Sequence, residues 1–123
     1  MAVEFPGKVV TSPAGADLST SQFRFVTING NGQAVIASTG APVFGVLQNK
    51  PKLGQAASIM VDGISKMVAP ASTLSAGDLV AVGANGQPAP LAAGNYAVGR
   101  VVRGSSGGAG RILSVSIEPI GTT

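Results

Sequence analysis

The sequence predicts a small all-β protein, and three observations support this fold class. Short apolar runs recur along the 123 residues and are bounded by Gly, Pro, Asn or Asp, which is the pattern of strands and turns. Glycine (18) and proline (8) are abundant while aromatic residues make up only 4% of the chain, so the core must consist largely of Val, Ile, Leu and Ala. No window carries a sustained helical stripe of apolar residues, and only one helical turn is predicted, in residues 69–77.

A chain of this length predicts a single domain. Residues 1–20 hold two prolines and a turn-rich stretch, and we interpret them as an extended N-terminal arm with at most one short strand, at residues 8–11. Residues 21–123 form the β domain, with seven or eight short strands in a β-clip or barrel-like arrangement. The strands are expected in residues 23–28, 33–37, 42–48, 56–61, 64–69, 78–83, 96–103 and 111–118.

Two turn signals predict hairpins. The "NGNG" at residues 29–32 should join the first two strands of the domain, and Asp62-Gly63 is a favoured two-residue turn. In the second hairpin Lys66 would lie opposite Ile59, well down the strand. The modified lysine of biotinyl and lipoyl carriers sits at a hairpin tip instead, so a carrier with a modified Lys66 is a less favoured interpretation.

The residue inventory argues against catalysis, cofactors and metals. The chain has no Cys and no His, and only five Asp and Glu residues, so thiolate, imidazole and most acid–base chemistry is excluded. The glycine-rich "GSSGGAG" at residues 104–110 precedes a predicted strand and lacks the Lys-Ser/Thr of a P-loop, so it matches neither phosphate-binding motif. We predict no enzyme, no cofactor and no metal site.

The charge distribution limits the classes of partner. Net charge is +3, but the eight basic residues are scattered and few aromatics accompany them, so no direct nucleic-acid binding is expected. No apolar run reaches 18 residues and the N-terminus lacks a signal-peptide pattern, so neither membrane spanning nor secretion by that route is predicted. Charged residues make up only 11%, which fits either contact with other proteins or the usual composition of small Gly-rich β domains.

The order of motifs across residues 17–118 resembles the tailed-phage capsid decoration, or cement, proteins. It rests most on "GVLQNKPKLGQAASIMVDGISKMV" at residues 45–68 and "LSAGDLVAVGANGQ" at residues 74–87, followed by "YAVGRVV" and "ILSVSIEP". The resemblance implies a compact β decoration fold, often a homotrimer, bound to the major capsid protein at threefold or quasi-threefold positions. It also implies a location on the capsid exterior of the virion, after synthesis in the cytoplasm of the bacterial host, where the protein stabilises the shell.

In that family an extended N-terminal segment commonly reaches onto neighbouring capsid proteins. By position and composition, we assign capsid contact to Val3, Phe5, Lys8, Val9 and Val10, which could add a strand to an exposed sheet edge. Deletion of residues 2–12 is then expected to leave folding intact and abolish head binding.

The alternative is a non-catalytic β-clip or barrel module that recognises sugars or peptides. Its binding loops would be "GSSGGAG" and "NGQPAPL", residues 104–110 and 85–91. The single Tyr and the absence of Trp weigh against a sugar site, because such sites usually present exposed aromatic rings.

Overall fold

The computed structural model describes residues 5–68, 74–91, 94–103 and 112–122, and these residues confirm the all-β fold class. Every strand pair is antiparallel. The strands are β1 (Phe5–Pro6), β2 (Val9–Pro13), β3 (Phe25–Ile28), β4 (Ala34–Ile36), β5 (Gly45–Leu47), β6 (Ala56–Met60), β7 (Gly63–Val68), β8 (Leu79–Val82), β9 (Pro88–Pro90), β10 (Tyr96–Arg103) and β11 (Ile112–Thr122).

The described residues thus form eleven strands, more than the seven or eight expected. The additional strands β1 and β9 are two and three residues long and contain proline. Each lies at the edge of its sheet, which is where proline is tolerated because its missing N–H is not needed for pairing. Short proline-containing edge strands carry no alternating apolar pattern, so the sequence offered no signal for them.

The strands form two sheets. The six-stranded sheet has the order β1-β7-β11-β10-β8-β9, and the five-stranded sheet has the order β2-β6-β5-β3-β4. The chain crosses between the sheets at two adjacent places, from β1 to β2 and from β6 to β7. Because β1 pairs with β7 and β2 pairs with β6, these two crossings run side by side in opposite directions.

The predicted hairpin at Asp62-Gly63 is wrong. Strands β6 and β7 belong to different sheets, so this dipeptide is a corner and not a two-stranded turn. Gly63 has φ 109°, and a Cβ atom on the neighbouring Gly7 would collide with the Asp62 carbonyl oxygen, so the first crossing packs tightly against the second. As a result Lys66 lies opposite Ser114 and not Ile59. Its position within a strand, away from the turn, is as predicted.

The predicted hairpin at "NGNG" is confirmed. Strands β3 and β4 pair with Thr27 opposite Val35. The Asn29 side-chain oxygen accepts hydrogen bonds from the backbone N–H groups of Asn31 and Gln33, both at 2.9 Å. This local bonding closes the turn without help from the rest of the fold.

The N-terminal segment is integrated into the fold. It contributes two strands, β1 and β2, where the sequence predicted at most one. Beyond β2, Ala14 forms a parallel bridge with Ala34 of β4 and the Gly15 N–H donates to the Ala34 carbonyl oxygen at 2.8 Å. The first and last strands of the five-stranded sheet therefore approach each other, which gives this sheet its barrel-like curl.

Two apolar clusters stabilise the described fold. Neighbouring residues Phe25 and Val26 belong to different clusters, so both faces of β3 are buried. The first cluster joins the two sheets: Phe25, Ala37, Val46, Met60, Met67, Leu74, Val80, Val82, Val98, Val101, Leu113, Val115 and Ile117. The second joins the five-stranded sheet to the segment after β2: Ala14, Leu18, Val26, Ala34, Leu47, Ala57 and Ile59.

The helical turn predicted in residues 69–77 is not seen where the structure describes that stretch. Residues 69–73 lie outside the described residues, and residues 74–77 are not helical. The short helical element of the described chain is instead a 3-10 turn at Ala84–Gly86, where Asn85 has φ 57°. Part of "NGQPAPL" therefore forms this turn and strand β9, while "GSSGGAG" lies outside the described residues.

Candidate functional site

Four of the five residues predicted for capsid contact lie in or between the two edge strands β1 and β2. Phe5 is in β1 opposite Ile64, and Val10 is in β2 opposite Ile59. Lys8, between the two strands, is exposed, and Val9 is 48% exposed. Val3 lies outside the described residues. The predicted contact residues therefore flank the outer side of β1 and β2, each an edge strand of its sheet.

Backbone groups of β2 are directed away from the protein. The Lys8 carbonyl oxygen accepts from the Val61 N–H at 2.9 Å, and the Ala14 N–H donates to the Gln55 carbonyl oxygen at 2.8 Å. Antiparallel pairing alternates bonded and outward-facing residues, so the N–H and C=O groups of Val9 and Thr11 face the open side. We call this outer side of residues 8–11 the N-terminal edge.

A second feature is an apolar groove of about 360 Å³. Phe44 and Tyr96, each 37% exposed, are among its lining residues, and none of the described lining residues is charged. Beside it the pairing of β10 with β11 shifts register between Ala97 and Gly99, so extra residues of β11 bulge opposite this point. The lining residues are Pro42, Val43, Phe44, Val61, Tyr96, Ala97, Val98 and Ile117.

The sequence alone does not predict this groove. Its lining residues come from separate parts of the chain, and only the tertiary fold brings them together. The one usable signal was the presence of Phe44 and the single Tyr in a chain with 4% aromatics, since exposed aromatic side chains often mark binding surfaces.

A buried polar link connects the two sheets. The Gln48 side-chain amide donates to Ser65 Oγ at 2.9 Å and to the Val46 carbonyl oxygen at 3.0 Å. Ser65 is fully buried, and its hydroxyl donates to the Lys66 carbonyl oxygen at 2.9 Å. The partners of this hydroxyl are an amide and a carbonyl, neither of which can act as a general base, so the arrangement is structural.

Two of the acidic side chains, Asp17 and Asp78, stabilise turns. Asp17 accepts a hydrogen bond from the Ser19 N–H at 3.0 Å, and Asp78 accepts one from the Ser75 N–H at 2.9 Å. Hydrogen bonds from the Ser19 side chain and backbone, together with nearby Lys52, hold the pKa of Asp17 below its ordinary value. Within the described ranges, no three His, Cys, Asp or Glu residues are grouped to hold a metal ion, and no helix there is long and apolar enough to cross a bilayer.

Comparison with solved structures supports the same fold. The chain superimposes on the crystal structure of the head fiber gp8.5 N base in bacteriophage phi29 with a TM-score of 0.72, over 94% of this chain and 98% of that chain. Sequence identity is 14%, so this likeness is evidence for the fold alone. A search of curated proteins returned no match.

Comparison with protein families identifies the chain itself. Residues 6–116 match the family described as phage cement protein. The match begins in β1, extends through β2 to β10 and ends within β11, so it includes both sheets and both crossings between them. This confirms the resemblance inferred from the motifs at residues 45–68 and 74–87. The chain therefore belongs to the phage cement protein family.

Proposed function

We propose that this protein binds the outer surface of the assembled phage head and stabilises the capsid lattice. The observation that carries the proposal is the match of residues 6–116 to the phage cement protein family. The role is structural and requires no catalytic step. The described residues fit such a role, because they offer strand edges, an apolar groove and few charges.

A shell-stabilising protein acts through many copies. Each copy needs only a modest contact with the shell, because binding at several linked positions multiplies the overall strength. We propose that the major capsid protein is the partner and that three copies of this chain associate at threefold or quasi-threefold positions. The protein would be made in the host cytoplasm and reside on the virion exterior.

The N-terminal edge is our candidate for capsid contact, and the residues that we assign to this contact from sequence remain Val3, Phe5, Lys8, Val9 and Val10. Its outward N–H and C=O groups can pair with an extended segment of the capsid protein. The exposed side chain of Val9 would add apolar contact. Proline at positions 6 and 13 limits the length of pairing, which fits a short, specific contact better than open-ended strand addition.

Binding to heads that lack this protein tests the proposed function. Purified protein is mixed with such heads, pelleted and imaged by electron microscopy. We expect saturable binding, density outside the shell at symmetry-related positions, and a higher temperature of shell disassembly. Absence of binding to any head form, with the protein in large molar excess over shell subunits, contradicts the proposal.

Substitution of Thr11 tests the N-terminal edge. Thr11→Pro removes an outward N–H without disturbing the bonds of β2 to β6, so the fold should persist while head binding falls. Thr11→Ala keeps the N–H and is the matched control, with binding close to that of the wild type. Equal binding by both variants would reject strand pairing at this edge.

The oligomeric state is tested separately by sedimentation equilibrium. A homotrimer has three times the 12.0 kDa mass of one chain, and we expect this species either in solution or after binding to heads. A protein that remains monomeric in solution and lies singly on the shell contradicts the trimer and leaves head binding in place.

The groove favours a second candidate function. Its apolar lining and the exposed rings of Phe44 and Tyr96 are features of a site for peptides or other ligands with apolar groups. A module of this kind would bind arrayed peptides or glycans, and Phe44→Ala would abolish that binding. Head binding without any array binding favours the cement role, and the reverse result favours the binding module.

A further inference from the structure

Among the strand residues whose side chains the structure describes, the charged ones all lie on one face of the six-stranded sheet; β11 also carries Glu118, beyond residue 117. In strands β2 to β10 and in residues 112–117 of β11, the charged residues are Lys66, Arg100 and Arg103. All three are cations. The five-stranded sheet has none, although it contributes five of the eleven strands. This is an uneven distribution for a chain whose basic residues appear scattered in sequence.

Strand register places these cations together. Ser114 of β11 pairs with Lys66 of β7 on one side and with Arg103 of β10 on the other. Ser116, two residues further along β11, pairs with Arg100. Directly paired residues point to the same face of a sheet, as do residues two apart, so the three cations share a face. Neighbouring strands are about 4.8 Å apart, which separates the backbones of Lys66 and Arg103 by about 10 Å.

This face is directed away from the core between the sheets, and at its centre Ser114 is fully buried while Ser116 is half-buried. Leu113 and Val115 alternate with the two serines and lie in the apolar cluster between the sheets, so the serine side is directed away from that core. Arg100 and Arg103 are exposed and Lys66 is half-buried. Arg100 also donates to the Gly77 carbonyl oxygen at 3.3 Å, which fixes its guanidinium near one end of the face.

Apolar side chains accompany the cations. Ile112 is 39% exposed and Val102 is 40% exposed. Ile112 pairs with Val68 of β7, and Val102 lies next to Arg103 at a register shift in β10. We define the cationic face as Lys66, Val68, Arg100, Val102, Arg103 and Ile112. Its combination of cations with aliphatic side chains is typical of protein interfaces, whereas single-stranded nucleic acid sites usually add aromatic rings, and this set contains none.

We propose that the cationic face docks onto a carboxylate-rich protein surface of the phage shell. The inference rests on the proposed function and names the surface and the chemistry of the contact. Opposite charge steers two surfaces together and selects the orientation in which they meet. Strand β7, which carries Lys66, pairs with β1 through Ile64 and Phe5, and the chain runs from β1 directly into residues 8–11 of the N-terminal edge. We expect one orientation of the protein on the shell to use both surfaces.

Charge reversal with a matched control tests the proposal. The test variant is the full chain with Lys66→Glu and Arg103→Glu, and the control has Lys50→Glu and Lys52→Glu, two exposed loop lysines with the same total charge change. A second test variant with Lys66→Gln and Arg103→Gln keeps long polar side chains, in case charge reversal impairs folding. Circular dichroism and thermal unfolding establish that each variant is folded before binding is measured.

Binding to heads that lack the protein is measured as a function of NaCl concentration. We expect the Glu variant to bind at least about tenfold more weakly and the Gln variant to lie between it and the wild type, with a reduced salt dependence for both. The control should stay within about threefold of the wild type. Equal weakening of test and control variants would overturn the proposal, because it would report net charge and not this face.

The remaining outcomes separate the two proposals. If the wild type binds heads and the Glu variant binds equally well, the cationic face is not the docking surface, and the cement role stands. If the wild type binds no heads, the proposed function fails first. Binding of duplex DNA by the wild type that the Glu variant loses, together with unchanged head binding, would overturn the protein partner in favour of nucleic acid.

Discussion

Replacement of Leu18 by alanine tests whether the N-terminal segment is part of the core. Leu18 is 2% exposed and packs in the second apolar cluster with residues of β3 to β6. Each buried methylene contributes about 0.8 kcal/mol, so removing three carbon atoms costs about 2.4 kcal/mol. The unfilled cavity raises the expected loss in the free energy of unfolding to about 3–4 kcal/mol.

Urea unfolding measures this loss, with Leu53→Ala as the control. Leu53 is 67% exposed, so its replacement should change the free energy of unfolding by no more than about 0.5 kcal/mol. For a urea slope of about 2 kcal/mol per molar, the Leu18 variant should unfold at a midpoint about 1.5–2 M lower. Equal midpoints for the two variants would refute the argument, since they would mean that the segment is not packed in the core.

This result also bears on the deletion of residues 2–12. From sequence, that deletion was expected to leave folding intact. In the structure it removes β1 and most of β2, which pair with β7 and β6, and it uncovers the corner at Asp62-Gly63. We now expect the deletion to destabilise the fold, so lost head binding in that variant would not by itself locate the capsid contact. The Thr11 variants are better suited to that purpose.

Three further predictions concern packing, the buried polar link and pH. Gly45→Ala should lower the free energy of unfolding by about 1–3 kcal/mol, because the added Cβ would collide with a carbonyl oxygen of β6. Urea unfolding measures this loss, and Gly30→Ala is the control because Gly30 has open space around it. Gln48→Ala should cost about 1–3 kcal/mol, and a double-mutant cycle with Ser65→Ala should show coupling between the two side chains; strictly additive losses would contradict the link. The wild type should be more stable than Asp17→Asn above pH 3.8, and this advantage should decline as the pH falls below that value, because folding lowers the pKa of Asp17. Thermal melts measure the difference in stability, and a difference that grows on acidification would contradict the prediction.

Local features of the chain predicted much of the fold. Eight of the eleven strands were expected close to their observed positions in the β domain, because alternating apolar residues and bounding turn residues act within a few positions of one another. The "NGNG" hairpin was predictable for the same reason, as Asn29 closes the turn with its own neighbours. Family membership could also be inferred from the sequence, because the order of turn and strand motifs in residues 45–87 is itself a local pattern.

Non-local packing decided the rest. A favoured two-residue turn signal at Asp62-Gly63 cannot distinguish a hairpin from a corner between sheets, and here the adjacent crossing at Gly7 made it a corner.

The candidate surfaces depend on the same long-range pairing. Composition alone showed that the chain has no Cys, no His and only five Asp and Glu residues, and this directed attention to contacts with other proteins. Lys66 and Arg103 are far apart in the chain and become neighbours only because both of their strands pair with β11. Which strands pair depends on how both sheet faces become buried across the whole molecule. A short window of sequence does not contain that information.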